Sequence, residues 1–272
     1  MNKPTILAPL AALLMTGCDF ENFDHGNRER EEFSYTHNLR PGGRVSVENY
    51  NGRVEITGWE RDTVEITGTK FAETRAELAA IKIDVAGGGD AVVIRTLRPS
   101  DRHGNSGAHY VIKAPRSVDL DKIRSSNGAI RVDGVVGQAR LQTSNGSITV
   151  TGAAGALNAH TSNGRIEARL VKAARGSEIL LETSNGGIDL SMDSFDANAV
   201  RASTSNGRIT VTLPPDINAR LRAQAARNSI KTDFDVKADG FSDRRSLRGD
   251  IGAGGPVIDL STSNGSIELR RH

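Results

Sequence analysis

The tripeptide Ser-Asn-Gly occurs six times in this chain of 272 residues, and this internal repeat constrains the fold more than any other feature. The first four intervals between copies are 18, 18, 22 and 21 residues long, which suits two short strands and two turns. The copies end at Gly128, Gly146, Gly164, Gly186, Gly207 and Gly265. A repeat of this kind indicates a chain built by stacking copies of one small unit.

Apolar and polar residues alternate on both sides of each Asn-Gly pair. In the second copy, for example, Leu141, Ile148 and Val150 are apolar, while the neighbouring Gln142 and Thr149 are polar. An isoleucine stands three residues after the asparagine in every copy: Ile130, Ile148, Ile166, Ile188, Ile209 and Ile267. A period of two predicts that each arm is a strand with one buried face and one exposed face.

An Asn-Gly pair between two alternating runs predicts a tight turn or corner, because both residues tolerate a positive φ angle. The predicted corner residues are Asn51, Gly52, Asn127, Gly128, Asn145, Gly146, Asn163, Gly164, Asn185, Gly186, Asn206, Gly207, Asn264 and Gly265. The pair at Asn51 indicates an early coil. Asn228 lacks the following glycine and indicates a degraded copy.

Two architectures are compatible with these corners. Taken singly, the repeats suit antiparallel β-hairpins in a sandwich or meander. Their regular spacing favours an all-β fold, a β-solenoid resembling a parallel β-helix with coils of 18–22 residues, in which equivalent residues stack. The asparagine side chains would then link adjacent coils, and the Ser or Thr two residues earlier would form a second ladder. Residues 73–80, rich in Ala and Glu, predict a short helical excursion.

Composition and charge narrow the class of protein. Aromatic residues make up only 4% of the chain, so the core is expected to consist of Ile, Val, Leu and Ala. A formal charge of +2 indicates no nucleic-acid partner. Between Arg220 and Arg248, eight basic residues accompany four aspartates. This segment is interpreted as a solvated cap or loop, with contact to an anionic surface such as lipid head groups as the alternative.

The chain begins with a pattern typical of an exported protein. Lys3, the apolar residues 6–15 and the small residues before Cys18 indicate a signal peptide over residues 1–17. Leu14 to Cys18 resembles the bacterial lipoprotein signal, which implies lipidation of Cys18, the only cysteine. We therefore expect a lipidated Cys18 and flexible tether over residues 18–32 and a repeat domain over 33–272. The membrane is then a partner, on the periplasmic side of either membrane or at the cell surface.

The sequence contains few residues arranged for catalysis. Gly-x-Ser-x-Gly, phosphate-binding and dinucleotide motifs are absent, and the histidines are scattered, so no catalytic residue, metal or cofactor is predicted. Glu167 and Asp189 occupy one outward column a coil apart and are the best candidate acids for glycoside cleavage. The tripeptide from Arg248 to Asp250 matches an integrin-binding motif in an expected loop, and a chance match is the favoured explanation.

Several short motifs together resemble a bacterial putative-adhesin family of unknown function. They are the opening segment from Val45 to Trp59, Ala114 and Pro115 before the first full repeat, and the closing Gly252 to Leu260. The resemblance covers about residues 44–271 and implies a repeat β-solenoid and an envelope location. It implies no reaction.

Three functions remain open at the level of sequence. The favoured one is a non-catalytic, membrane-anchored envelope lipoprotein whose solenoid surface binds a protein or cell-wall polymer, in an adhesin-like or envelope-stress role. The alternatives are a β-helix polysaccharide lyase or hydrolase and a purely structural envelope component.

Overall fold

The computed structural model describes residues 28–98, 105–239 and 243–272, and these ranges contain 21 strands and one short helix. The elements in chain order are β1 (Glu29–Asn51), β2 (Val54–Trp59), β3 (Thr63–Ala72), α1 (Arg75–Ala80), β4 (Lys82–Leu97), β5 (Gly107–Pro115), β6 (Val118–Asn127), β7 (Ile130–Asp133), β8 (Ala139–Asn145), β9 (Ile148–Ala154), β10 (Leu157–Asn163), β11 (Ile166–Lys172), β12 (Glu178–Asn185), β13 (Ile188–Met192), β14 (Ala199–Asn206), β15 (Ile209–Leu213), β16 (Ala219–Ala225), β17 (Ile230–Thr232), β18 (Val236–Ala238), β19 (Ser246–Ile251), β20 (Val257–Thr262) and β21 (Ile267–Arg271).

Each repeat forms one coil of two strands that meet at its Asn-Gly corner. In the second copy β8 ends at Asn145 and β9 begins at Ile148. Strands β8, β10, β12 and β14 pair in parallel in that order, and so do β9, β11, β13 and β15. Neighbouring copies therefore stack as parallel coils, which confirms the β-solenoid and excludes antiparallel hairpins for these copies.

The coils stack in register, with each residue over its equivalent. The paired positions of β8, β10 and β12 include Asn145, Asn163 and Asn185, one at each corner. The isoleucines that follow the corners are stacked in the same way and are at most 1% exposed. Because burying one such side chain stabilises the fold by about 1.5–3 kcal/mol, this continuous column forms the centre of the core.

The strands form two sheets, which we call the leading sheet, whose strands enter the corners, and the trailing sheet, whose strands leave them. In space the leading sheet runs β4, β1, β6, β8, β10, β12, β14, β20, β16, β19, β18. The trailing sheet runs β1, β3, β5, β2, β7, β9, β11, β13, β15, β21, β17. Strand β1 takes part in both sheets.

At the amino-terminal end the coils do not stack in chain order. The second half of β1 lies between β4 and β6, and β2 lies between β5 and β7. The first half of β1 pairs antiparallel with β3, which pairs antiparallel with β5. These antiparallel strands cover the end of the trailing sheet, where an open coil would expose an unpaired edge.

The carboxyl-terminal end repeats this arrangement. Strand β20 lies between β14 and β16, and β21 lies between β15 and β17. The last copy by sequence is thus inserted between the fifth copy and the degraded copy at Asn228. Strand β19 then pairs antiparallel with β16, and β18 with β19. At both ends, the coil nearest the chain terminus is held between two others.

The expected helical excursion is confirmed and is slightly shorter than the sequence indicated. Helix α1 spans Arg75–Ala80, and the side chain of Thr74 caps it by accepting a hydrogen bond from the backbone N–H of Glu77. Leu78 packs with Ala72 and Ile81 in a small apolar cluster. The helix therefore fastens the turn between β3 and β4.

The amino-terminal boundary of the folded region differs from the expected one. Residues 29–32, assigned to the tether, form the start of β1 and pair with β3. The ammonium group of Lys70 lies 2.8 Å from the Glu31 carboxylate, so the acidic composition here belongs to a charged edge strand. The signal peptide, Cys18 and the rest of the expected tether lie outside the described residues.

Candidate interaction surface

The corner glycines lie directly against the glycines of neighbouring coils. A Cβ atom on any of the six repeat glycines would lie 1.7–2.2 Å from the carbonyl oxygen of the glycine stacked one coil away. Among the predicted corner glycines only Gly52 has a positive φ angle, +117°. The predicted reason for glycine was therefore wrong at the six repeats. Glycine is required at these positions because the backbones of two neighbouring coils approach too closely to leave room for a Cβ atom. An unusual φ angle is not the reason.

The corner asparagines form a continuous ladder of side-chain hydrogen bonds. The Nδ2 of Asn145 donates to the Oδ1 of Asn127 at 2.8 Å, and the next four bonds are 2.8–2.9 Å long. We call this the asparagine ladder: Asn127, Asn145, Asn163, Asn185, Asn206 and Asn264. All six are exposed, so each inner rung retains one outward N–H and one free acceptor position.

A second ladder lies just inside the corner. Ser125, Thr143, Thr161, Thr183, Thr204 and Thr262 each donate a hydroxyl hydrogen bond of 2.9–3.1 Å to a glycine carbonyl one coil away. These side chains are at most 5% exposed. The hydroxyls thus satisfy the same carbonyls that exclude a Cβ atom, which couples the two positions.

A column of serines stands between these ladders in sequence and faces outward. We call it the serine column: Ser126, Ser144, Ser162, Ser184, Ser205 and Ser263. Each is exposed or half-exposed, and none of their hydroxyls bonds to another residue in the described part of the chain. The fold therefore explains the asparagine and the glycine of each repeat but gives the serine hydroxyl no internal partner.

The early coil replaces the repeat residues with a buried polar network. Asn49 stands at the position of Ser125, and its Nδ2 donates to the carbonyls of Gly52 and Ala108 at 3.1 and 2.9 Å. Thr96 joins the Asn49 Oδ1 to the Tyr110 hydroxyl at 3.0 and 2.6 Å. Burial raises the pKa of Tyr110 well above its ordinary value, so the phenol stays protonated. This buried network therefore takes the place of the inner Ser and Thr ladder in the early coil.

The candidate glycosidase carboxylates are each engaged by an arginine. Glu167 and Asp189 are stacked neighbours on β11 and β13, as the sequence indicated. Asp189 accepts from Arg165 at 2.7 Å, and Glu167 from Arg169 at 3.1 Å. Both carboxylates of the candidate pair are therefore held in ion pairs with arginines.

The histidines occupy structural positions where they are described. His109 stacks on Phe71 with ring centroids 4.7 Å apart, and its Nδ1 accepts from the backbone N–H of Arg53 at 3.2 Å. Burial, with a smaller contribution from the Arg53 charge, lowers its pKa. Across the described ranges no group of three His, Cys, Asp or Glu side chains is placed to hold a metal ion.

The tripeptide at Arg248 is part of a strand, so the expected loop was wrong. Gly249 and Asp250 belong to β19, which pairs with β16 and β18 on its two sides. Arg220 holds the Asp250 carboxylate with hydrogen bonds of 2.9 and 3.1 Å. This segment therefore forms a paired strand and not a flexible, freely displayed motif.

The lipidation site cannot be placed on this surface, because Cys18 lies outside the described residues. In the part that the structure describes, no helix has the length and apolarity needed to cross a membrane.

The stacked coils, the buried isoleucine column and the two corner ladders define a repeat β-solenoid of the toastrack type. The Toastrack DUF4097 family matches residues 40–270, and the chain belongs to that family. No curated protein matches it.

Three solved structures illustrate the distant likeness. A "putative cell adhesion protein" from Clostridium sporogenes is 13% identical, covering 89% of this chain and 100% of its own, with a TM-score of 0.34. A "putative adhesin" from Bacteroides fragilis is 10% identical, covering 89% and 97%, with a TM-score of 0.36. A "putative lipid binding protein" from Parabacteroides distasonis is 14% identical, covering 91% and 98%, with a TM-score of 0.31. Such low values carry no argument about function.

Proposed function

We propose that this chain is a non-catalytic, membrane-anchored envelope lipoprotein whose serine column and asparagine ladder bind a cell-wall polymer. The anchor is the predicted lipidated Cys18, and the signal peptide would direct the domain across the inner membrane. Lipid chains contribute about 0.8 kcal/mol per buried methylene, so two or more acyl chains hold such a protein on a membrane.

The observation that carries the proposal is the unpartnered serine column. Six serines recur at one position and face outward, and their hydroxyls make no hydrogen bond to another described residue. Stacked strands are about 4.8 Å apart, so the column presents hydroxyls at a constant spacing over about 24 Å. The neighbouring asparagines add an amide N–H and an acceptor at each inner rung.

This chemistry suits a hydroxyl-rich polymer better than a charged ligand. The column and the ladder are uncharged, and each rung offers both donors and acceptors. A polysaccharide presents hydroxyls along an extended chain, so many weak contacts can act together. A protein partner would instead be expected to require an apolar centre in its contact surface, and the column contains no apolar side chain.

The proposal includes no reaction because of the contacts made by the candidate carboxylates. Glu167 and Asp189 are the only carboxylate pair that the sequence singled out, and each is already paired with an arginine. The proposal therefore assigns the solenoid a binding role and assigns no reaction.

Alanine substitutions in the column test the binding surface. The triple variant S144A/S162A/S184A removes three outward hydroxyls without removing a hydrogen bond of the fold. The matched control T149A/T210A/T212A removes three hydroxyls from the outer face of the trailing sheet. Purified full chain is co-sedimented with isolated peptidoglycan sacculi and with insoluble polysaccharides.

We expect the serine variant to lose at least about tenfold in retention, which corresponds to about 1.4 kcal/mol, and the control to match the wild type. Equal retention of all three proteins, or no retention of the wild type, would contradict the proposal. If a protein is recovered that binds the wild type but not the serine variant, the partner of the serine column is a protein and not a polymer.

The anchor is tested separately. Mass spectrometry of the processed amino terminus should show acylated Cys18 as the first residue, and C18S should release the protein from membranes. An unmodified Cys18 in the membrane fraction would contradict anchoring while leaving the binding surface open to its own test.

A further inference from the structure

Two arginines face each other at the carboxyl-terminal end of the leading sheet. Arg222 of β16 and Arg248 of β19 are direct partners in an antiparallel pair, and both are exposed. Directly opposed residues have Cβ atoms about 4.5–5.5 Å apart, and a pair of like charges at opposed positions is destabilising. The fold therefore places two cationic side chains opposite each other on neighbouring strands.

Nearby carboxylates do not neutralise this pair. Asp259 is the partner of Arg222 on the other side, but it forms its ion pair with Arg201 at 3.9 Å. Asp250 is occupied by Arg220. Among the described residues no carboxylate lies within ion-pair distance of Arg222 or Arg248.

Several other cations on the outer faces have partners one coil away. Arg140 lies 3.0 Å from Asp121, and Arg165 lies 2.7 Å from Asp189. Lys122 is bonded to Glu48 in the same way. Within the described ranges Arg222 and Arg248 lack such a partner, as Arg124 and Arg131 also do. What distinguishes Arg222 and Arg248 is that they lie directly opposite each other on paired strands.

The two arginines line a hollow of about 200 Å³ together with Arg220, Leu221, Asp239 and Gly249. Asp239 is the one carboxylate of this lining. Its backbone N–H donates to the Arg248 carbonyl at 3.0 Å, and its side chain makes no ion pair with either arginine. The hollow thus combines a concave shape with two unpaired guanidinium groups.

We propose that Arg222 and Arg248 form a binding site for a phosphate group. Each guanidinium offers a planar fork of N–H donors that matches two phosphate oxygens. A bound phosphate would also remove the repulsion between the two cations. The phosphate belongs either to an anionic lipid head group or to a soluble phosphate compound, and the site is independent of the serine column.

The first test uses the full chain and inorganic phosphate. Thermal unfolding is followed in phosphate and in chloride at equal ionic strength, for wild type, R222Q/R248Q and R124Q/R131Q. The last variant removes two exposed arginines elsewhere on the solenoid. Phosphate stabilises folded proteins in general, so all three proteins should unfold at a higher temperature in phosphate than in chloride. The increase should be clearly larger for the wild type and for R124Q/R131Q than for R222Q/R248Q, which lacks the site.

The second test identifies the source of the phosphate. The same proteins are co-sedimented with phosphatidylglycerol vesicles and with phosphatidylcholine vesicles. The quantity compared between proteins is the difference in bound protein between the two kinds of vesicle, because any contribution of the apolar leader is common to both. A difference that falls at least threefold in R222Q/R248Q alone assigns the site to lipid head groups. A response to inorganic phosphate alone assigns it to a soluble compound. Responses that are equal in R222Q/R248Q and R124Q/R131Q, or absent from the wild type in both tests, overturn the proposal.

Discussion

A Cβ atom on Gly186 would lie 2.0 Å from the carbonyl oxygen of Gly164, its stacked neighbour one coil away. The adjacent Gly187 lies in the same corner, but a Cβ atom there would lie 3.3 Å from the carbonyl oxygen of Arg208. Neither glycine has a positive φ angle. The two positions therefore separate the effect of coil stacking from the effect of turn flexibility.

Substitution of these two glycines should have very different effects. G186A forces two backbones apart and should lower the free energy of unfolding by about 3 kcal/mol or more. G187A should change it by less than about 1 kcal/mol, because the added methyl group meets only one close atom. Urea unfolding midpoints of the two variants measure the difference. Similar losses for both would show that flexibility, rather than stacking, requires glycine at the corner.

The asparagine ladder should contribute to stability in proportion to the bonds each rung makes. Asn163 bonds to the rungs on both sides, so N163A should cost about 1–2 kcal/mol in the free energy of unfolding. Asn264 bonds only to Asn206, so N264A should cost about half as much. N158A alters an exposed asparagine without such bonds and serves as the control. A cost for N158A equal to that for N163A would contradict the ladder.

The inner threonines test the hydrogen bonds to the corner carbonyls. Thr183 donates to the carbonyl of Gly164 at 2.9 Å and is nearly buried. T183V keeps the shape but leaves that carbonyl without its donor, so it should lower the free energy of unfolding by about 1–3 kcal/mol. T183S retains the hydroxyl and should lose clearly less. Chemical denaturation compares the two, and a more stable T183V would rule out this role.

His109 should make the fold less stable in mild acid. Its pKa is lowered mainly by burial, so the unfolded chain takes up a proton near about pH 6.5 while the folded chain remains neutral. Because the unfolded state then binds more protons, the free energy of unfolding should fall as the pH drops below about 6.5. H109Q should lose less stability between about pH 7.5 and about pH 5.5 than wild type or H160Q. Parallel losses in all three proteins would exclude His109 as the cause.

Carboxylates affect a separate pH range. The pKa of Asp250 is lowered chiefly by its hydrogen bonds from Arg220, and that of Asp243 by backbone N–H groups. A lowered folded pKa gives stability above the ordinary value, about 4, which is lost as the pH falls through the folded pKa. These groups therefore do not obscure the histidine measurement.

The sequence predicted the repeating part of the fold well because that information is local. Each copy carries its own alternation and its own corner, so Ile148 and Ile166 could be assigned to one buried column without any structure. The short helix also followed from local composition. The reason for the corner glycine was predicted wrongly. A φ angle is a property of one residue and can be inferred locally, whereas the close approach of two backbones depends on a neighbouring coil.

The sequence could not indicate the order in which the coils stack. Equivalent columns fit any neighbouring copy equally well, so nothing in the pattern placed β20 between β14 and β16. The opposed pair Arg222 and Arg248 was missed for the same reason. Its members are separated by 26 positions and meet only because β19 folds back antiparallel on β16.

A disulfide cross-link tests in-register stacking most directly. Ser203 and Ser261 are stacked partners with hydroxyl oxygens 3.1 Å apart, and Gln224 is the partner of Ser261 on the far side. Disulfides require Cα atoms within about 7 Å, whereas positions two layers apart are separated by about 10 Å. In a C18S background, S203C/S261C should therefore form the bridge on oxidation and S203C/Q224C should not, as read by mass spectrometry. A bridge only in S203C/Q224C, or in neither variant, would contradict the stacked solenoid described above.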